Sequence, residues 1–169
     1  MGFNSDDYGI EIARILASAG AGARPMPLVK DRAPDAGGRD AVARLENASA
    51  CVRAGLHLYL GNWDDAHSIA DSVENRTGYF WHAIVHRQEP DSANAGYWFR
   101  KAGKHPIFPE LAAAADHAGY SNGREWDAFR FVDFCGRAIP DSAAEHLAQQ
   151  VQLIEWQLLF DYSARGANC

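Results

Sequence analysis

His82 and His86 stand four residues apart in the run Tyr79-Phe80-Trp81-His82-Ala83-Ile84-Val85-His86-Arg87. On a helix this spacing projects both imidazoles from one face, and divalent metal sites use it. The segment reads H-A-I-V-H, without the Glu of the zinc-protease H-E-x-x-H signature. Two ligands do not make a metal site, so a third must come from elsewhere in the chain. His57, His67, Asp64, Glu74 and His105 are the candidates. The competing reading is a packed helix interface in which both histidines bond to backbone or carboxylate.

A second constellation is cationic. Arg87 and Arg100, with His105, form a candidate anion-binding patch, because the planar guanidinium fork matches carboxylate and phosphate. Glu89 and Asp91 are close enough in sequence to absorb those charges as ion pairs instead. Tyr79, Phe80 and Trp81, then Tyr97, Trp98 and Phe99, are dense on two neighbouring segments. Such rings either fill a core or line a groove for a partner. Other chemistries find no motif. There is no G-x-S-x-G elbow, and the glycines match neither the dinucleotide nor the Walker spacing.

The elements that must position these residues read as helices. Tyr8 to Ala19 forms a short helix, and Gly20 to Gly38 is a Pro/Gly-rich loop. This loop either lies over the helical body or leaves residues 1–38 partly detached. Residues 39–169 form a single all-α domain. Asp40 to Leu60 is predicted as one helix, closed by Gly61. Asn62 caps a helix running to about Val73, whose first turn holds Asp64 and Asp65. Tyr79 to Arg87 is apolar on nearly every side, which predicts a buried helix. Pro90 ends it, and Asp91 caps a helix over Ser92 to Ala102. Further helices are predicted over Pro109–Ala118 and Arg124–Arg137, with Asn122-Gly123 as a turn between them. Ser142-x-x-Glu145 is a capping box for the last helix, which runs to about Ser163. Leu147, Val151, Ile154, Leu158 and Tyr162 mark its expected inner face. No segment has the two-residue period of a strand.

Gly61-Asn62-Trp63-Asp64-Asp65-Ala66, followed by Ala70, resembles the centre of a tetratricopeptide repeat. Ala95-Gly96-Tyr97-Trp98-Phe99-Arg100-Lys101-Ala102-Gly103 resembles the A-x-x-W-[FY]-R-K-A-A ending of the related Sel1-like repeats, with Gly103 in place of the last Ala. The resemblance spans roughly residues 47–105. It implies helical hairpins packed in a right-handed array, or an irregular bundle, with a protein- or peptide-binding groove and no prescribed catalytic residues. The longer string from Tyr79 to Arg87, continuing through Asn94 and Tyr97-Trp98-Phe99-Arg100 to His105-Pro106, is similar to a family of uncharacterised bacterial proteins. That family brings no assigned activity.

Composition limits the partners. The chain has 169 residues, 47% hydrophobic and 22% charged, and a net charge of -6. It is long enough to bury a core without staples, and it is a poor match for nucleic-acid phosphate or an anionic lipid surface. Asp6, Asp7 and Glu11 stand where a secretory signal carries positive charge. No run approaches the ~20 apolar residues that cross a bilayer. Cys51, Cys135 and Cys169 are too few and too scattered for a disulfide framework and read as free thiols in a reducing, cytoplasmic setting. Two functional expectations follow. One is a module that binds a protein or peptide through Tyr97 and Trp98, with a second copy of the chain, in a homodimer, as one candidate partner. The other is a small metal- or anion-dependent enzyme or small-molecule binder centred on His82, His86, Arg87, Arg100 and His105.

Overall fold

Helix starts in this chain are set by short polar side chains that accept the first free backbone N–H groups. Asn75, Asp91, Asp127 and Ser142 each do so. The computed structural model describes residues 2–30, 35–121, 123, 125–166 and 169, and every regular element among them is helical. A short 3-10 turn at Ser5–Tyr8 precedes α1 (Ile10–Ser18), α2 (Ala36–Ala43), α3 (Ala50–Leu60), α4 (Trp63–Asp71) and α5 (Arg76–Gln88). Then follow α6 (Ser92–Ala102), α7 (Phe108–His117), α8 (Ala128–Arg137) and α9 (Ala143–Ala164). None of these helices is long and apolar enough to cross a membrane. Asn122, of the expected Asn122-Gly123 turn, and Arg124, the expected start of the next helix, lie outside the described residues.

The expected single helix over Asp40–Leu60 is two helices. The break falls where Ser49 Oγ accepts from the Val52 amide and restarts the helix as α3. Arg53 stabilises the break from within α3. Its guanidinium donates to the carbonyls of Val42 at 3.0 Å, Ala48 at 3.2 Å and Leu45. These carbonyls lie at and beyond the end of α2, where the regular helical bonding stops; that of Val42 also accepts from the Leu45 amide at 3.2 Å. Asn62 precedes α4 but does not cap it, because its amide donates to the Asp35 carbonyl at 3.2 Å.

Consecutive helices α3, α4, α5 and α6 pack each on the next, and α9 lies against α3, α7 and α8. Gly55 lets α3 approach closely. A Cβ there would stand 2.9 Å from the Trp81 ring and 3.0 Å from Phe160. Trp156 Nε1 donates to the Gly55 carbonyl at 2.9 Å. The inner face of α9 differs from the expected one. Val151 is buried, but Leu147, Ile154, Leu158 and Tyr162 are only half-buried. Trp156, Leu159 and Phe160 fill the core instead, beside the buried polar pair Gln152 and Glu155. A polar residue can face inward here because each has a partner: Glu155 pairs with Arg87, and Gln152 donates to the carbonyls of Met26 and Pro27.

Those last bonds tie the N-terminal loop to the body. Met26 and Leu28 are buried in the core, Arg24 bonds Tyr59, and Gln88 Nε2 donates to the Pro27 carbonyl at 2.9 Å. The described part of residues 1–38 is therefore packed over the helices. The expectation of three free thiols is corrected: Cys51 and Cys169 form a disulfide across 118 residues of sequence. Spacing alone could not show this pairing, since the fold returns the last residue to the start of α3. Cys135 is free and buried, and burial pushes its thiol up to about 11.

Candidate metal centre

α5 carries His82 and His86 on one face, and the adjacent α4 carries His67 toward them. Gly78, in the first turn of α5, lets the segment that follows α4 pass close to that helix, because a Cβ there would collide with the Val73 carbonyl oxygen. The His82 and His86 rings lie parallel, with centroids 4.9 Å apart. The His67 ring stands edge-on to both, at 4.6 Å from His82 and 4.9 Å from His86. One ligand nitrogen from each of the three lies within 4.8 Å of the others. A tetrahedral metal with ~2.0 Å bonds to nitrogen needs its donors about 3.3 Å apart. The upper limit of 4.8 Å is wider than a bound ion would hold, so side-chain rotation would have to close the gap.

The electrostatics suit neutral imidazoles. Burial, and then the neighbouring His67 and His86, lower the pKa of His82 to about 4. Burial also lowers that of His86, with His67 adding to the effect. Neutral imidazole is the form that ligates. Both ring nitrogens of His82 and Nδ1 of His86 are buried without a hydrogen-bond partner. Each such orphan costs about 1–3 kcal/mol. Two carboxylates stand near but make no hydrogen bond: Asp71 Oδ1 is 3.9 Å from His82 Nδ1, and Glu89 Oε2 is 3.4 Å from His86 Nδ1. The indole of Trp98, on α6, stacks on His82 at 3.9 Å. Lys101 Nζ lies over the rings of Tyr79 and Trp98 at 4.4 and 4.6 Å.

The other candidate residues do not join this cluster. Arg87 is buried against Glu155 and Gln152 and stacks over Phe131. Burial works against its charge, and the Glu155 carboxylate more than offsets this. Its partner is thus Glu155, from a distant helix, rather than Glu89 or Asp91, while its Nε is buried without a hydrogen-bond partner. Glu89 instead faces Lys30 at 3.7 Å, and Asp91 caps α6. Arg100 lies over Phe129, beside a groove of about 560 Å³ lined by Phe99, Lys104, Phe108 and Trp126. His105 is buried between Phe80 and Tyr162. Its Nδ1 accepts from the Ile107 amide, so Nε2 carries the proton and donates to Thr77 Oγ1 at 3.3 Å. Asp64 pairs with Lys30 at 2.6 Å, and neither His57 nor Glu74 joins the group. Phe80, Trp81 and Phe99 are core residues, Tyr79 and Trp98 are half-buried, and Tyr97 is 47% exposed.

His67 was one of five alternatives for a third ligand, and the α4–α5 packing selects it. Asp71, beside His82, belongs to no sequence motif. The available signal was its position four residues after His67, on the same face of α4. Glu89 is three residues after His86 and was assigned to ion pairing with arginine. Comparison with family models, curated proteins and solved structures finds no match to this chain.

Proposed function

We propose that this protein binds one divalent transition-metal ion, of the zinc type, through His67, His82 and His86. The observation that carries the reading is the convergence of three imidazole nitrogens within 4.8 Å, together with buried ring nitrogens that have no other partner. A packed helix interface accounts poorly for that combination, because unpaired buried nitrogens are costly; a metal would relieve the cost at His82 Nε2, and the nearby carboxylates would relieve it at the two Nδ1 atoms. Imidazole donors suit zinc, copper, nickel and iron rather than calcium or magnesium. Of the five residues first grouped as a small-molecule or enzyme site, only the histidine pair belongs to this reading. The test is the metal content of freshly purified protein, followed by thermal denaturation with added Zn²⁺, Co²⁺ or Ni²⁺. Metal at about 100 times its dissociation constant should stabilise the fold by about 2.7 kcal/mol, or roughly 5–10 °C. A chain that carries no metal and melts at the same temperature with or without these ions would contradict the proposal.

A second reading, capture of a protein or peptide, is favoured by the exposed rings of Tyr97 and Phe129, 47% and 44% accessible, beside Arg100 and the α6–α8 groove. The consecutive packing of α3 through α6 is in keeping with stacked hairpins of the tetratricopeptide or Sel1-like kind, and a second copy of the chain is one candidate partner. Tyr97→Ala should then weaken partner capture, or dimerisation measured by light scattering, while the melting temperature stays unchanged. An unaltered binding profile would remove this reading.

A further inference from the structure

The metal reading leaves open how many ligands the chain itself supplies. A tetrahedral ion needs four donors, and the cluster of ligand atoms among the described residues contains three, all imidazole. Two carboxylates are close enough to compete for the fourth place, and each has a different position. Asp71 Oδ1 and Glu89 Oε2 both face an Nδ1 atom, of His82 at 3.9 Å and of His86 at 3.4 Å. Neither makes a hydrogen bond in this arrangement, but each stands on the side from which an outer carboxylate holds an imidazole N–H and leaves Nε2 to a metal. Glu89 is also held from its other oxygen by Lys30 at 3.7 Å, and Lys30 is fixed in turn by Asp64 at 2.6 Å. Asp71 is 68% exposed at its side chain and has no such tether. From α6, the face of His82 is covered by the Trp98 indole, which offers no lone pair, and beyond it lies the Lys101 ammonium. Among the described residues, no further ligand atom joins the cluster. His67 is the least buried of the three histidines, so solvent reaches the cluster along α4.

Resting on the metal reading above, we propose that the centre is a three-histidine site whose fourth position belongs to an exchangeable water. Asp71 and Glu89 orient the imidazoles from outside and do not bind the ion. The ligand class that follows is a small molecule with a single oxygen, nitrogen or sulfur donor that displaces the water. Such an open position separates catalytic from closed structural zinc sites.

Cobalt-substituted protein tests this, because the visible absorption of Co²⁺ reports its coordination, and thiocyanate is the probe ligand. Adding thiocyanate should change the spectrum saturably, with one anion per cobalt. Asp71→Asn and Glu89→Gln should each keep one cobalt per chain and the thiocyanate response, while cobalt affinity falls by about 10- to 100-fold. A spectrum indifferent to thiocyanate in the unaltered protein, with a response gained in either variant, would mean that a carboxylate fills the fourth place and would overturn the open-site proposal alone. Failure of the protein to bind cobalt at all would overturn this proposal and the metal reading together.

Discussion

Single residues show most clearly why chemistry and packing are hard to separate in a sequence. His82 and His105 are both buried histidines with a pKa lowered to about 4, chiefly by desolvation. Only His105 has both nitrogens bonded, to Thr77 and Ile107; His82 has neither. The difference makes His105 a structural residue and His82 a ligand candidate, and no composition or spacing rule distinguishes them. His105 carries a prediction of its own. Its folded pKa lies below the ordinary histidine value of 6.5, so between those values the unfolded chain binds the proton more readily. Its contribution to stability is fully present above pH 6.5 and is lost as pH falls toward 4, by up to about 3 kcal/mol. Urea unfolding at pH 7 and pH 4.5 should show a smaller loss for His105→Asn than for the unaltered chain. Equal losses would contradict the assignment. The i, i+4 pair His82 and His86 was legible because helix geometry is local; the ion-pair partner of Arg87 was not, because Glu155 is on a helix far along the chain.

At the scale of elements, caps and breakers were the most readable features. Asp91 begins α6 and Ser142 begins α9 as expected, although Glu145 closes its box on the Asp141 amide, one residue before the cap. The α2–α3 break was hidden because Ala, Leu and Arg dominate the stretch around the cap signal of Asn47 and Ser49, and the break is braced by Arg53 reaching back to three carbonyls. Arg53→Ala should therefore destabilise the fold by about 2–3 kcal/mol, the value of charge-assisted bonds to buried carbonyls. Denaturant unfolding at neutral pH measures this, and a loss below about 0.5 kcal/mol would argue against it. The inner face of α9 was misassigned because the helix is enclosed on several sides, so a single apolar stripe does not describe it. The contact between α4 and α5 matters most for the proposed metal site. Gly78→Ala pushes the start of α5 away from Val73, costing about 1–3 kcal/mol through overpacking. By moving His82 and His86 relative to His67, it should also weaken zinc binding measured by competition with a chelating dye. Unchanged zinc affinity in a destabilised variant would show that this crossing does not set the site.

For the whole molecule, the all-helical class and the location of interest around His82 were accessible from the sequence, since both follow from local period and spacing. The N-terminal loop and the C-terminus were not, because their contacts are long-range. Glutamines 88 and 152 hold the Pro27 carbonyl, and the disulfide closes the chain from α3 to its last residue. A cross-link spanning that length restricts the unfolded chain, so reduction, or Cys51→Ser, should lower stability by about 2–5 kcal/mol. Denaturant curves with and without a reductant measure it, and coincident curves would deny the bond a stabilising role. The central claim is that α4 and α5 bring three imidazoles to one metal. Calorimetric titration of the metal-free protein with Zn²⁺, beside His67→Ala, tests it most directly. The account predicts one zinc per chain for the unaltered protein and an affinity reduced at least about 100-fold when the third imidazole is removed, since even outer-shell changes cost 10- to 100-fold. Equal zinc binding by both proteins, or none by either, would contradict it.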